Sequence, residues 1–108
     1  MDNDTPIKRM PRAFLYNLKT KRRSLPIRKE VYKMGKERSY VDYHIDNIAV
    51  SRHHANIVYH DDNFYIIDLN STNHTYINGT AILPNTEIMI KNGMVIRLAD
   101  TELLFKIV

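Results

Sequence analysis

Residues 35–79 read GKERSYVDYHIDNIAVSRHHANIVYHDDNFYIIDLNSTNHTYING, and three short polar clusters punctuate them: Gly35-Lys36, Ser51-Arg52-His53-His54, and Ser71-Thr72-Asn73-His74-Thr75. Between the clusters the chain alternates apolar and polar residues, the period of strands half-buried in a sheet. Polar clusters separated by strands become loops gathered at one end of that sheet. Their side chains are cations, hydroxyls and carboxamides, the groups that hold a dianionic phosphate and the peptide backbone beside it. The stretch therefore points to a β fold that carries an anion-recognising surface.

The same alternation extends in both directions. Before the stretch it predicts strands over 13–18, 23–27 and 31–34, with Pro26 marking an edge and Gly35 closing the third. Within it, 40–45 reads as a short strand, and 54–59 with 64–69 as a hairpin across His60-Asp61-Asp62-Asn63, where Asp and Asn promote a turn. Strands 75–77 and 80–83 flank Asn78-Gly79, a pair suited to the two-residue hairpin turn. Strands at 87–90, 95–98 and 102–108 complete the run, with turns at Asn92-Gly93 and Ala99-Asp100-Thr101. No helical stripe interrupts them. About eleven short strands at this spacing specify an all-β fold, an antiparallel β-sandwich of two sheets. The three glycines all fall at the expected turns, which marks each as a backbone device.

A chain of 108 residues forms one domain and buries roughly 65% of its unfolded surface, so folding needs neither metal nor disulfide. The absence of cysteine removes thiol catalysis and thiolate metal sites, and fits a reducing compartment. No apolar run approaches the ~18 residues of a membrane helix, and the acidic start lacks the order of a signal peptide. These features predict a soluble, cytoplasmic domain. Residues 1–12, with Pro6 and Pro11 and little apolar periodicity, read as a flexible N-terminal arm, and 13–108 as the domain. Charge is uneven: residues 1–40 hold 12 Lys/Arg against 4 Asp/Glu, whereas 41–108 hold 4 against 8. The basic group Lys19, Lys21, Arg22 and Arg23 is the kind of footprint nucleic acid uses. It sits between two strand-like runs, where short basic loops are ordinarily solvated turns, so nucleic-acid binding is the lesser reading.

Two other chemistries fit poorly. Ser51, His53 and His54 suggest a hydrolase, but they are neighbours on one extended segment, without a Gly-x-Ser-x-Gly elbow. Five histidines, His44, His53, His54, His60 and His74, lack the helical spacing or cysteines of a zinc site. The sequence thus reads as a non-enzyme with no metal and no cofactor.

Taken together, the clusters resemble a known family. Gly35-Lys36 is similar to the Gly-Arg of the forkhead-associated (FHA) domain, and Ser51-Arg52-His53-His54-Ala55 to its Ser-Arg-x-His-Ala. Asp68-Leu69-Asn70-Ser71-Thr72-Asn73-His74-Thr75-Tyr76-Ile77-Asn78-Gly79 is similar to its Asp-x-x-Ser-x-Asn-Gly-Thr-x-x-Asn-Gly. The resemblance covers about residues 13–108 and implies an eleven-stranded sandwich whose loops bind phosphothreonine peptides. It also implies a signalling adaptor downstream of a Ser/Thr kinase. The alternative within the family is a scaffold that binds an unphosphorylated protein through a sheet face.

The resemblance assigns roles residue by residue. Ser51 and Arg52 would contact the phosphate, Lys36 would add a second cation, and Thr72 a hydroxyl or main-chain N–H. Asn73 would grip the ligand backbone, with Asn78 as a second backbone contact. Gly35, His54 and Gly79 would shape the loops. Two residues depart from the pattern. Lys36 replaces an arginine, exchanging a planar two-pronged donor for a point charge. His74 replaces a glycine, and its imidazole either faces the phosphate or lies exposed. Apart from the resemblance, Thr5, ahead of Pro6 in the arm, belongs first to a disordered end with no role of its own; the lesser reading is that, once phosphorylated, it would reach the loops of its own or a neighbouring domain.

Overall fold

The computed structural model describes residues 10–108, and among them the chain forms ten strands and no helix. They are β1 (Ala13–Asn17), β2 (Val31–Gly35), β3 (Tyr43–His44), β4 (Ala55–His60), β5 (Asn63–Asp68), β6 (Thr75–Ile77), β7 (Thr80–Ala81), β8 (Ile88–Ile90), β9 (Val95–Leu98) and β10 (Thr101–Ile107). Sheet I has the order β1-β10-β9-β6-β7 and sheet II the order β3-β2-β4-β5-β8. The alternation read from sequence becomes burial. Leu15, Ile96, Leu98, Leu103 and Phe105 of sheet I meet Met34, Ile57, Phe64, Ile66 and Ile90 of sheet II, all nearly or fully buried. Phe64 and Phe105 join the layers directly, with ring centroids 5.3 Å apart in an edge-on contact. Each such side chain contributes about 1.5–3 kcal/mol by leaving water, so the sandwich rests on its interior.

Three expected strands come out differently, each for a local reason. Residues 23–27 run beside β1 through Ser24 N–H to the Leu15 carbonyl and Ile27 N–H to the Ala13 carbonyl, both 2.7 Å. They make only the single bridge Tyr16–Arg23, because Pro26 has no N–H to continue the ladder. Residues 37–41 close a turn, with Tyr40 and Val41 N–H on the Glu37 carbonyl, which shortens the strand expected over 40–45. What remains, β3, pairs with β2 in parallel, so sheet II is mixed rather than purely antiparallel. Past Ala81 the chain crosses toward sheet II, where Pro84 bridges to Asp68 and Asn85 N–H meets the Asp68 carbonyl at 2.7 Å.

The turns agree with their chemistry. Asp61 and Asp62 adopt φ of 50° and 66°, and Asn78 and Gly79 of 48° and 87°, the paired left-handed conformation whose twist suits a hairpin. Ordered contacts begin before the boundary expected at residue 13: Met10 packs on the core, and the Arg12 carbonyl accepts the Val108 N–H at 2.8 Å. Thr5 lies outside the described residues. No helix among the described residues is long and apolar enough to cross a membrane.

Candidate functional site

Strand direction gathers the polar clusters. β2 and β3 lead into one end of the sandwich, β4 leaves it, and β5 returns to it. The loops 36–42, 45–54 and 69–74 therefore lie together.

Gly35 sets their spacing. It is buried at the end of β2, and a Cβ there would collide with the carbonyl oxygen of Arg52 and lie 2.8 Å from the carbonyl carbon. Its φ is not left-handed. Gly35 thus serves close approach and not a turn, unlike the reading from sequence. That approach allows Lys36 N–H to reach the Ser51 carbonyl at 3.0 Å and Glu37 N–H the Arg52 carbonyl at 3.2 Å. Lys36, Ser51 and Arg52 are brought onto adjacent backbones as a result.

Two buried polar side chains hold the loops from below. His54 is fully buried. Its Nδ1 accepts the Ser51 N–H at 3.0 Å, and because an amide can only donate, the ring proton resides on Nε2. That proton is donated to the His74 carbonyl at 2.9 Å, a group that also accepts the Ala99 N–H at 3.0 Å. Burial lowers the His54 pKa; the His74 carbonyl and the nearby Asp68 carboxylate oppose the shift without reversing it. His54 is a neutral brace between loops 45–54 and 69–74.

Asp68 is the second. Its Oδ1 accepts the hydroxyls of Ser71 and Thr75, both at 2.6 Å, and Oδ2 the Ser71 N–H at 3.1 Å. Burial by itself would raise this carboxyl's pKa, but the three donors outweigh it and take the pKa below its ordinary value. Ser71 and Thr75 are themselves buried, so the Asp-x-x-Ser spacing works as an internal clasp on the loop.

Above these braces stand the groups that face solvent. The Ser51 Oγ accepts the Thr72 N–H at 3.1 Å, which leaves its own O–H proton free to donate to an anion. Asn73 is exposed, and its Nδ2 donates to the Ala49 carbonyl at 2.8 Å. The amide is thereby oriented and its Oδ1 left to accept a ligand N–H. Lys36 and Arg52 are exposed and form no ion pair among the described residues.

Asn78 is placed elsewhere, since it lies at the opposite end of β6 from His74. Its N–H and its Oδ1 bond the carbonyl and N–H of Val95, both at 2.9 Å. That carboxamide oxygen staples the β6–β7 hairpin to β9, so only Nδ2 is left for a ligand. Gly79 serves the turn, with open space around it. His74 accepts a φ of 68°, and its ring meets Tyr76 edge-on, with centroids 6.4 Å apart.

One cluster escaped the sequence reading. His53 stacks on Tyr40 at 3.9 Å and 22°, bonds Glu37 through Nε2 at 2.8 Å, and Lys33 Nζ lies 4.3 Å from the Tyr40 centroid. This wall ties loop 36–42 to loop 45–54. Lys33, Glu37 and Tyr40 are close in sequence but belong to no motif, and His53 joins them from another loop, so only the apposition of loops reveals the cluster. The site as a whole is an open surface. A cleft of about 830 Å³ is bordered by residues 17–20, 43–48 and 100–102 and takes in none of the groups above.

A β-sandwich with motif-bearing loops clustered at one end, braced by a buried histidine and presenting a serine, an asparagine and two exposed cations, defines a recognition module. The FHA domain family model matches residues 32–99, and the chain belongs to that family. Among solved structures, Mycobacterium tuberculosis EmbR in complex with a low-affinity phosphopeptide is 30% identical at a TM-score of 0.82; the match covers 90% of this chain and 24% of that one. This chain thus corresponds to about a quarter of EmbR. The MEK1 FHA domain in complex with the HOP1 pThr318 peptide is 28% identical at a TM-score of 0.75, covering 90% of this chain and 97% of that one. An FHA domain from an Arabidopsis thaliana hypothetical protein shares the fold at a TM-score of 0.84 and 23% identity, over 98% and 95% of the two chains. No curated protein sequence matches significantly.

Proposed function

We propose that this domain binds proteins phosphorylated on threonine, as an adaptor that reads the product of a Ser/Thr kinase. The observation that carries the reading is the Ser51 hydroxyl, held by Thr72 with its proton free, beside two cations that form no ion pair among the described residues. A phosphate dianion satisfies all three at once through charge-assisted hydrogen bonds. The Asn73 Oδ1 then accepts a backbone N–H of the peptide and sets its register. The MEK1 FHA complex, with its phosphothreonine ligand, supports the assignment. Loss of the threonine methyl costs typically ~1 kcal/mol where it is buried, so phosphoserine binds less tightly.

Binding and not catalysis is proposed, in a cytoplasmic setting where kinases act. Both His54 nitrogens are engaged, and Nδ1 faces the Ser51 backbone N–H, so His54 does not activate the Ser51 hydroxyl. Calorimetric titration with a phosphothreonine peptide library, its phosphoserine equivalent and its unphosphorylated counterpart tests the proposal. Affinity in the order phosphothreonine, phosphoserine, unphosphorylated is expected. Equal affinity for phosphorylated and unphosphorylated libraries overturns it.

A further inference from the structure

The basic character of the first third of the chain is not absorbed by the cradle, the surface formed by loops 36–42, 45–54 and 69–74. Part of it reaches the outer face of sheet I. On β1, β10 and β9 the buried positions are Leu15, Leu103, Phe105, Ile96 and Leu98, so their neighbours point outward. Cross-strand pairing sets Tyr16 beside Leu104 and Leu104 beside Val95, with Tyr76 beside Arg97 across β6 and β9. A half-buried band of aromatic and aliphatic side chains runs across the sheet on its solvent side.

Cations lie over this band. The Arg23 guanidinium is 4.9 Å from the Phe14 centroid and that of Arg97 is 3.7 Å from the Tyr76 centroid. Lys106 pairs with Phe14 across β1 and β10. Arg12, two residues before Phe14 and on the same side of the strand, joins Arg23 in lining a groove of about 410 Å³. Leu25 and Val108, 84% and 77% exposed, line it as well. Against four cations stands Glu102, opposite Arg97. None of the four forms an ion pair among the described residues.

We infer that the outer face of sheet I docks an acidic polypeptide segment bearing apolar side chains, independently of phosphorylation and apart from the cradle. Charge complementarity selects the occupant. A second copy would set the same four cations against themselves, and like-charge juxtaposition disfavours it. Nucleic acid recognised by base stacking needs bare aromatic faces, whereas Phe14 and Tyr76 each already carry a guanidinium. A phosphate backbone would also leave Leu25, Leu104 and Val95 uncovered. Carboxylates alternating with apolar side chains match both components: the acids pair with the guanidiniums while the apolar groups cover the band between them. A partner holding such a segment near a phosphothreonine would engage both surfaces, and the tether would raise its effective concentration.

The test is amide-shift mapping of the isotope-labelled full chain with a synthetic peptide alternating Glu with Leu and Phe. Poly-glutamate and a single-stranded oligonucleotide serve as comparisons. Saturable shifts at Phe14, Tyr16, Arg97 and Leu104, with Ser51, Thr72 and Asn73 unmoved, are expected. Arg23→Glu with Lys106→Glu should weaken that peptide by roughly tenfold or more, since like charges then face each other, and leave phosphothreonine-peptide affinity as it was. No saturable shift, shifts confined to the cradle loops, an equal response to poly-glutamate, or tighter binding of the oligonucleotide each overturns the proposal. The mapping uses the unaltered chain, so it decides the matter even where the charge-reversed variant folds poorly.

Discussion

The two ends of the sandwich are built on different principles. At the far end, the turns at Asp61-Asp62, Asn78-Gly79 and Asn92-Gly93 use left-handed backbone, with φ of 50°, 66°, 48° and 87° in the first two and 90° at Gly93, and two of them add one exposed carboxamide staple each, Asn78 Oδ1 to the Val95 N–H and Asn92 Oδ1 to the Ile107 N–H. At the cradle end, loops 45–54 and 69–74 are held mainly by side chains reaching across sequence: His54 to His74, Asp68 to Ser71 and Thr75, Asn73 to Ala49. Exposed turns set by left-handed residues and a single staple tolerate change, because no buried polar group depends on them. Cross-braced loops fix functional groups relative to one another, and each brace is a point of failure. Binding sites need the second kind, because a phosphate gripped from two loops requires that the loops not drift.

Glycine substitution separates the two ends most sharply. Gly35→Ala forces the Arg52 carbonyl to move, an overpacking that costs about 3 kcal/mol, and it should abolish phosphopeptide binding by displacing Ser51 and Arg52 together. Gly79→Ala has open space but a left-handed φ of 87°, so about 1 kcal/mol of stability is lost with affinity intact. Chemical denaturation and peptide titration of the pair check both. Next in size is Asp68→Ala, which strands the buried Ser71 and Thr75 hydroxyls and should cost about 2–3 kcal/mol. A melting curve matching wild type for Asp68→Ala would remove the clasp from the account.

The same division explains what could be read beforehand. Asn78-Gly79 and the Asp-rich turn were legible because a few adjacent residues determine them, and the strands beside them because burial follows a period of two. Residues 23–27 were misjudged because Pro26 defeats a pattern that is otherwise strand-like. The parallel pairing of β3 depends on how loop 36–42 folds back, which no local pattern records. In the candidate site, Ser51, Arg52 and Asn73 are legible as motif residues, and Thr72 as the residue enclosed between two of them. The Tyr40–His53–Glu37 wall and the anchoring of Asn73 to Ala49 were not, being products of tertiary apposition. Gly35 is visible in the sequence only as a glycine before a polar loop; that its need is for the space a Cβ would fill shows only in the packing against Arg52.

Within the cradle the exposed groups affect affinity more than stability. Ser51→Ala and Arg52→Ala should each weaken phosphopeptide binding by about 1.5–3 kcal/mol, the range for a hydrogen bond to a charged group. Arg52→Ala, with no ion pair to lose among the described residues, should melt as wild type does. The braces beneath answer to pH instead. His54 is held below its ordinary pKa of 6.5 by burial, so below 6.5 the unfolded chain takes a proton that the folded chain refuses. Stability is therefore full above 6.5 and declines as pH falls toward the depressed folded value, by up to ~1.4 kcal/mol per pH unit for one proton. Asp68, also depressed, keeps its contribution above 3.8 and loses it as pH falls through its lower folded value. Denaturant midpoints in His54→Gln should be flatter in the upper window and still decline in the lower one, where Ser71 and Thr75 continue to hold the Asp68 carboxyl down.

The smallest expected effect lies at Lys36, the cradle cation whose head group is a point charge and not a planar fork. Its ammonium is exposed and unpaired among the described residues, so it reaches a bound phosphate as a screened point charge worth about 0.5–1 kcal/mol. Lys36→Ala should lose that amount at low salt, and its affinity should fall less steeply with ionic strength than that of wild type, because one screened contact is gone. Lys36→Arg should bind as well or better, since a guanidinium spans two phosphate oxygens where the ammonium contacts one. Neither change touches a brace, so neither should move the melting temperature. Affinity of Lys36→Ala equal to wild type at low salt would remove this residue from the cradle, leaving Ser51 and Arg52 of one loop and Thr72 of the next to hold the phosphate.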